Sequence, residues 1–112
     1  MAPEKSDLLR GTLDLMILRT LALEPLHGYG IAKRLEQITD GVFEVKAGSL
    51  FPALSRLSRD GWIQGDWGVS DNNRRAKFYK LTRAGRRRLQ TEVANWRRVS
   101  MAIERLLATS EV

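Results

Sequence analysis

The sequence predicts a small α+β fold that is mainly helical, and three observations predict it. A short amphipathic helix at about residues 49–60 ends at a glycine, the next segment alternates like a β-hairpin, and an unbroken helical pattern then runs from Thr82 to about Ala108. The hairpin loop carries two adjacent arginines. Helix, hairpin and arginine-tipped loop in this order indicate a winged helix-turn-helix followed by a long C-terminal helix.

Composition narrows the class of function. At 112 residues and 43% hydrophobic residues the chain suffices for one globular unit, and without cysteine it has neither disulfides nor a thiolate metal site. Its longest apolar run, residues 13–23, is interrupted by Asp14 and Arg19 and is shorter than the ~20 residues of a membrane span. The N-terminus does not resemble a signal peptide, so we expect a cytoplasmic protein that does not contact a membrane.

The positive charge is concentrated in one region. The net charge is +6, and residues 74–98 contain ten Lys or Arg against Glu92 as the single acid. This distribution is the footprint expected for contact with phosphates. A membrane surface would favour cations along one amphipathic helix, whereas here they extend over a hairpin and the start of a helix, which favours nucleic acid.

Two helices are predicted before the recognition segment. Residues 1–7 are polar and aperiodic, and we expect a frayed arm there. Residues 11–23 are apolar around nearly the whole helical circumference, which predicts burial on more than one side, including against a second subunit. A second helix follows Pro25 and ends near residues 40–41. Residues 42–45 fit either a small strand or a packed turn.

No enzymatic site is apparent. His27 is the only histidine, its neighbours offer no carboxylate or second ligand, and a structural role in the turn between helices fits it best. Gly28 and Gly30 lack the pattern of a phosphate loop and are expected to permit close approach of helices. Because no carboxylate pair, activated nucleophile or metal cluster is present, we expect no catalysis and no cofactor.

The helix at about 49–60 has two chemically different faces. Leu50, Leu54 and Leu57 recur at helical spacing and predict a buried stripe. Ser49 is the predicted N-cap, and Pro52 fits a first turn. The opposite face suits a DNA major groove, although an ordinary solvated face is the alternative. The candidate DNA-binding residues here are Lys46, Ser49, Phe51, Pro52, Ser55, Arg56 and Arg59.

The hairpin is predicted from strands at 62–69 and 77–81 that flank a polar loop rich in Asp and Asn, which tolerate tight turns. Trp62 and Trp67 are interpreted as core and hairpin packing rather than as base-stacking groups. The candidate DNA-binding residues on or beside this wing are Asn73, Arg74, Arg75 and Lys77.

The last helix is predicted to be roughly 40 Å long, with Thr82 as its N-cap. It carries a heptad seam of Leu89, Val93, Trp96, Ser100, Ile103 and Leu107. A domain of this size has no surface long enough to cover that seam, so we expect its distal half to pack on a partner protomer; a helix folded over its own domain is the alternative. The predicted dimerisation residues are Leu89, Val93, Trp96, Ile103 and Leu107. Residues 1–82 and 83–112 would then form the DNA-binding and dimerisation parts of one continuous unit.

Four stretches together resemble the PadR family of bacterial transcriptional regulators. They are residues 26–31 (LHGYGI), residues 48–54 (GSLFPAL) with 61–63 (GWI), residues 74–82 (RRAKFYKLT), and Trp96 on the last helix. Phe51 stands where the family usually has Tyr, and Gly30 stands where Glu is common. The hydroxyl of the family's Tyr could bond a phosphate or a base, and Phe51 lacks this hydroxyl.

The resemblance implies a sequence-specific DNA-binding regulator. The single C-terminal helix resembles the family's small subfamily, whose members are homodimers and usually repressors. Two-fold symmetry would then make the operator a pseudo-palindrome. The resemblance also implies a cavity between the first and last helices for a small hydrophobic or aromatic effector, and the candidate effector-binding residues are Leu15, Trp96 and Ser100. A winged-helix module that binds protein instead of DNA is the alternative function. The local positive charge and the arginine-tipped loop argue against it.

Overall fold

The computed structural model describes the backbone of residues 2–111 and the side chains of residues 11–111. A three-stranded antiparallel sheet of order β1-β3-β2 accompanies four helices. This is the predicted α+β, mainly helical winged helix-turn-helix with a long last helix. The elements in chain order are α1 (Ala2–Leu23), β1 (Leu26–His27), α2 (Gly28–Ile38), α3 (Ala47–Arg59), β2 (Ile63–Val69), β3 (Arg75–Leu81) and α4 (Arg83–Ala108).

The hydrophobic core lies where α1, α2 and α3 meet the sheet. Ile17 and Leu18 of α1 and Leu54 and Leu57 of α3 are fully buried. Each such side chain contributes about 1.5–3 kcal/mol through its removal from water. The predicted stripe of α3 is therefore a core face, and it holds this helix against α1.

The prediction of a frayed arm at residues 1–7 is wrong for the part that the structure describes. Helix α1 begins at Ala2, and Met1 lies outside the described residues. Pro3 stands in the first turn, where its missing N–H leaves no hydrogen bond unmade, and Glu4 and Lys5 are good helix formers. A first turn made of polar residues lacks an apolar period, which is why periodicity did not indicate it.

His27 organises the turn into α2. Its Nδ1 accepts a hydrogen bond of 3.0 Å from the backbone N–H of Gly30, and its ring meets that of Phe78 edge-on with centroids 5.2 Å apart. A Cβ on Gly28 would lie 2.9 Å from the ring of Phe51 on α3. The structural interpretation of His27 and of close helix approach at Gly28 is confirmed.

The chain leaves α2 through Asp40 and Gly41, which both have positive φ. Residues 42–45 form an irregular connection whose Val42 and Phe43 are exposed, and only Val45 packs on the core, so the segment is neither the small strand nor a fully packed turn. The hairpin follows α3 as predicted, except that β3 begins at Arg75, two residues early. Asn73 has a φ of 60° and closes the turn between the strands.

Helix α4 begins as predicted. The Oγ1 of Thr82 accepts a hydrogen bond of 3.0 Å from the N–H of Gly85, and a Cβ on Gly85 would lie 2.0 Å from the carbonyl oxygen of Trp62. This close contact joins the base of α4 to the exit of α3. None of the helices in the described part of the chain is long and apolar enough to cross a membrane.

The distal half of α4 extends away from the core, and the molecule measures 62 × 29 × 28 Å. Leu89 is half-buried against the core, whereas Trp96, Ile103 and Leu107 are 52%, 50% and 73% exposed. Among the described residues of one chain, the apolar members of the predicted seam are thus partly covered at its beginning and exposed further along.

Candidate nucleic-acid interface

The start of α3 differs from the prediction. The helix begins at Ala47, its N-cap position is Lys46 without a side-chain cap, and Ser49 lies inside the first turn. The N–H of Ser49 donates to the carbonyl of Lys46 at 3.0 Å, so the N-cap prediction for Ser49 is wrong. Val45 and Leu50 both pack on the core. These two contacts fix the chain before and after the first turn of α3, which therefore begins at Ala47 and not at Ser49.

Pro52 consequently lies in the second turn, inside the helix. It cannot donate the hydrogen bond that the carbonyl of Gly48 would otherwise receive. Both residues are exposed, so water can satisfy that carbonyl. The position is tolerable because it lies on the solvent side of α3.

The exposed face of α3 carries most of the predicted DNA-binding residues. Phe51 is 49% exposed, and Ser49, Pro52, Ser55 and Arg59 are exposed as well. This face mixes hydroxyl groups, an aromatic ring and a cation on a helix whose other side is locked into the core. Such a frame holds side chains rigidly enough to read base edges.

The predicted placement of Arg56 on this face is wrong. Its guanidinium forms an ion pair with the carboxylate of Asp14 on α1, and the two side chains are 23% and 13% exposed. On the helical wheel Arg56 lies beside Ala53, at the border of the buried stripe, so a long side chain reaches α1 rather than solvent.

Lys46 lies on the surface and pairs with Glu44. The hydrogen bond from Lys46 to Glu44, together with the negative charge of Glu44, raises the pKa of Lys46, and the same contact lowers the pKa of Glu44. Both groups are thus charged near neutral pH. A DNA phosphate that approaches Lys46 competes with this carboxylate.

Two cations of the wing, Arg75 and Lys77, lie over the ring of Trp67. The guanidinium carbon of Arg75 lies 4.6 Å from the ring centroid of Trp67, and the Nζ of Lys77 lies 5.9 Å from it. Trp67 is 61% exposed, so the prediction of core packing is wrong for this residue, while hairpin packing is correct. Trp67 lies four residues after the buried Ile63 on β2, but the side chains near its ring are the cations Arg75 and Lys77.

A concave groove of about 740 Å³ lies between the wing and the starts of α2 and α3. It brings Phe51 together with Arg74, Arg75 and Lys77, whereas Lys46, Ser49, Ser55 and Arg59 lie on the convex helix face outside it. The groove is lined by aromatic and cationic side chains, principally Tyr29, Lys33, Phe51, Trp67, Arg75 and Lys77.

Sequence reasoning missed Tyr29 and Lys33. Tyr29 is 71% exposed, and the Nζ of Lys33 lies 5.9 Å from the centroid of its ring. Their spacing of four residues places both on one side of α2, and the apolar stripe of Ile31 and Leu35 on the other side was the available signal. The wing, which lies across the groove from these two residues, is about 40 positions away in sequence, so local patterns could not indicate that it faces them.

Part of the basic region makes contacts within the chain. The guanidinium of Arg88 stacks on Trp62 with 4.5 Å between its carbon and the ring centroid, and it pairs with Glu92 at 2.7 Å. Arg83, Arg86 and Arg87 at the start of α4 are exposed. One arginine of the basic region therefore makes contacts at the base of α4, and the others at the start of this helix lie on the surface.

A second groove, of about 420 Å³, lies between α1, the end of α2 and α4. Leu15 and Trp96, two of the three predicted effector-binding residues, line it, and Ser100 is not among its lining residues. The walls are mostly apolar, with Arg19 and Arg97 as the cationic members of the lining.

Comparison with known proteins gives concordant results. Residues 17–91 match the transcriptional regulator PadR-like family. An uncharacterized protein of Lysinibacillus sphaericus is 33% identical over 101 residues, which are 89% of this chain and 92% of that protein. The residues matched by the family include α2, α3 and the whole hairpin, the elements that build the first groove.

Solved structures agree with this match. A transcriptional regulator from Clostridium thermocellum superposes with a TM-score of 0.79 at 28% identity, over 89% of this chain and 94% of that one. A PadR-like transcriptional regulator from Bacillus cereus superposes with a TM-score of 0.78 at 27% identity, over 93% and 99% of the two chains. The similarity thus extends along α4 as well as the winged part.

Proposed function

Because this chain belongs to the PadR-like family of transcriptional regulators, we propose that it is a homodimeric repressor that binds a pseudo-palindromic operator. Members of this family are transcriptional regulators, so the chain is a DNA-binding transcriptional regulator and not an enzyme. We further propose that it acts in the cytoplasm, where bacterial DNA lies.

The proposal rests on the meeting of two different surfaces at one edge of the molecule. The exposed face of α3 offers Ser49, Phe51 and Ser55 on a helix fixed by its buried stripe. The wing offers Arg74 and Arg75 across a concave groove. A duplex fits this arrangement when α3 enters the major groove and the wing contacts the backbone or the minor groove.

The two surfaces are proposed to have different tasks. Residues on α3 supply sequence choice, because a packed helix holds them in register with base edges. Residues on the wing supply affinity, because long cations reach phosphates independently of sequence. The α3 group comprises Lys46, Ser49, Phe51, Pro52, Ser55 and Arg59, and the wing group comprises Asn73, Arg74, Arg75 and Lys77.

Dimerisation through α4 is supported by its uncovered apolar side chains. Trp96, Ile103 and Leu107 are at least half exposed in one chain, which is unfavourable in water for a contiguous apolar stripe. A second copy related by two-fold symmetry would cover them, with α1 adding to the contact. In this proposal residues 1–82 bind DNA and residues 83–112 hold the protomers together.

The groove at Leu15 and Trp96 is the proposed site of a small hydrophobic or aromatic effector. Its largely apolar lining and its volume support this assignment. Quenching of tryptophan fluorescence by planar aromatic compounds tests it. Quenching is expected to persist when Trp62 or Trp67 is replaced and to vanish in Trp96→Ala. Any other pattern would show that the compound does not bind at Trp96.

Selection of bound sequences from a random DNA pool tests the central proposal. We expect an enriched pseudo-palindrome whose half-sites lie about 10 base pairs, or a multiple of one helical turn, apart. Recovery of unenriched DNA would contradict sequence-specific binding. Absence of any DNA retention at low salt would instead favour a winged-helix module that binds protein.

A further inference from the structure

The ion pair between Asp14 and Arg56 joins two helices with different proposed tasks. Arg56 lies on α3, whose exposed face is proposed to read DNA, and Asp14 lies on α1. The contact spans 42 positions in sequence, and both side chains are largely removed from solvent, at 23% and 13% exposure. It is a charged contact between α1 and the helix that carries the candidate specificity residues.

The stability of the fold does not require a charged pair at Asp14 and Arg56. Asp14 is the one acidic residue in the stretch 11–23, and it lies on the same helix as the fully buried Ile17 and Leu18. Replacing a buried ion pair by apolar side chains of similar volume is often neutral or stabilising, because the pair must be desolvated. Leucine and methionine could therefore hold α1 and α3 together equally well.

A buried pair differs from apolar packing in its directionality. Apolar contacts permit small rotations and sliding of one helix on another, whereas a guanidinium and a carboxylate form hydrogen bonds only in a restricted geometry. The pair occurs where such a restriction matters most, since the opposite side of α3 carries Phe51 and Ser55. A shift of about 1 Å in these side chains would disrupt hydrogen bonds to base edges.

We propose that Asp14 and Arg56 form a positioning contact that fixes the orientation of α3 on α1 and thereby sets how well the protein distinguishes its operator from other DNA. Arg56 acts through the helix and does not touch DNA. The inference rests on the proposed function, because it assigns a determinant of specificity to the DNA-reading face.

Removal of the Asp14 charge tests the proposal. An effect of charge alone and an effect of helix position predict different changes in the preference for operator over scrambled DNA. Asp14→Asn removes a negative charge from a protein that binds a polyanion. If charge alone mattered, operator and scrambled DNA would both be bound more tightly, in equal proportion. If position matters, the ratio of the two affinities falls about tenfold, the size expected when one base is no longer read.

A second variant separates position from stability. Asp14→Leu with Arg56→Met replaces the pair by apolar side chains, and the free energy of unfolding is expected to be unchanged or higher. Its preference for the operator should nevertheless fall about tenfold, like that of Asp14→Asn. A role in stability alone predicts wild-type discrimination in this stable double variant.

Arg59→Gln is the matched control, because Arg59 lies on the same helix but on its exposed side. It should weaken binding to both DNAs and lower the salt slope by about one unit for each phosphate that is no longer neutralised. Arg56→Gln should leave that slope unchanged. If it lowers the slope as Arg59→Gln does, Arg56 contacts phosphate directly and the proposal is overturned.

The measurement is a set of binding isotherms on the selected operator and on a scrambled duplex of equal length, at several salt concentrations, with the full chain. A wild-type protein that shows no preference between the duplexes defeats the proposed function. A wild-type protein that discriminates, together with an Asp14→Leu, Arg56→Met variant that discriminates equally well, defeats the inference alone. Should Asp14→Asn not fold, that double variant decides the matter.

Discussion

Helices α3 and α4 carry the same kind of sequence pattern and end in opposite environments. The apolar stripe of α3, Leu50, Leu54 and Leu57, is at most 2% exposed. The stripe of α4 contains Ile103 and Leu107, which are 50% and 73% exposed. Both follow the helical period, so periodicity identifies the apolar face in each case. What covers that face depends on the rest of the chain for α3, and on a second molecule, as we propose, for α4.

This difference has a consequence for regulation. The position of α3 is fixed inside one protomer, by its buried stripe and by the ion pair with α1. The described part of the chain gives the distal part of α4 no such support. The geometry of a protomer is therefore set by folding, whereas the distance between two DNA-reading helices would be set by association, which ligands and concentration can alter.

Truncation of one leucine in each stripe should give the largest contrast. Leu54→Ala removes a fully buried side chain and should lower the free energy of unfolding by about 2–5 kcal/mol. Leu107→Ala should have little effect at low protein concentration and a larger one where dimers form. Urea denaturation of both variants at two protein concentrations measures this. A large, concentration-independent loss in Leu107→Ala would place that residue in an intramolecular core.

A charge in the α4 stripe should break the proposed dimer. Ile103→Asp places a carboxylate and its symmetry mate in an apolar interface, and each uncompensated charge is costly to desolvate, so the equilibrium should shift strongly to monomer. Met101→Asp is the matched control, because Met101 is 66% exposed and lies off the seam. Sedimentation velocity at micromolar concentration distinguishes the two. Wild-type protein that sediments only as monomer would show the seam assignment to be wrong.

The exposed side of α3 should differ from the wing in what it contributes to binding. Phe51→Ala should reduce the preference for operator over random DNA, by roughly 1–3 kcal/mol if Phe51 touches a base, with little change of salt slope. Arg75→Ala should weaken binding to both DNAs and lower the slope by about one unit per phosphate and protomer. Binding isotherms on both DNAs at several salt concentrations resolve the two effects. The reverse pattern would exchange the roles of wing and helix.

The elements themselves could be predicted from local sequence. Thr82 caps α4 as expected, His27 holds the turn into α2, and the leucine stripe of α3 is buried. Each of these depends on residues a few positions apart, where spacing alone determines which groups meet. The family resemblance rested on such short stretches, and the match over residues 17–91 confirms it.

Interactions between distant segments could not be predicted in this way. The orientation of Arg56 depends on Asp14. Tyr29 belongs to the groove only because the wing lies opposite. In each case the deciding neighbour is tens of residues away, and neither propensity nor periodicity contains that information.

The smallest expected effect concerns the exposed start of α3, where Lys46 pairs with Glu44. Glu44→Gln removes the carboxylate that competes with DNA for this ammonium group. Binding should tighten on operator and random DNA alike, by less than about fivefold, because exposed pairs are weak.

Salt and a second substitution identify the cause of this effect. The gain should vanish as salt rises, since the charges involved are exposed and screened. It should also shrink in a Lys46→Gln background, because the carboxylate then has no ammonium to sequester. An equal gain with and without Lys46 would mean that Glu44 repels DNA directly. The carboxylate of Glu44 would then not compete with DNA for the ammonium group of Lys46.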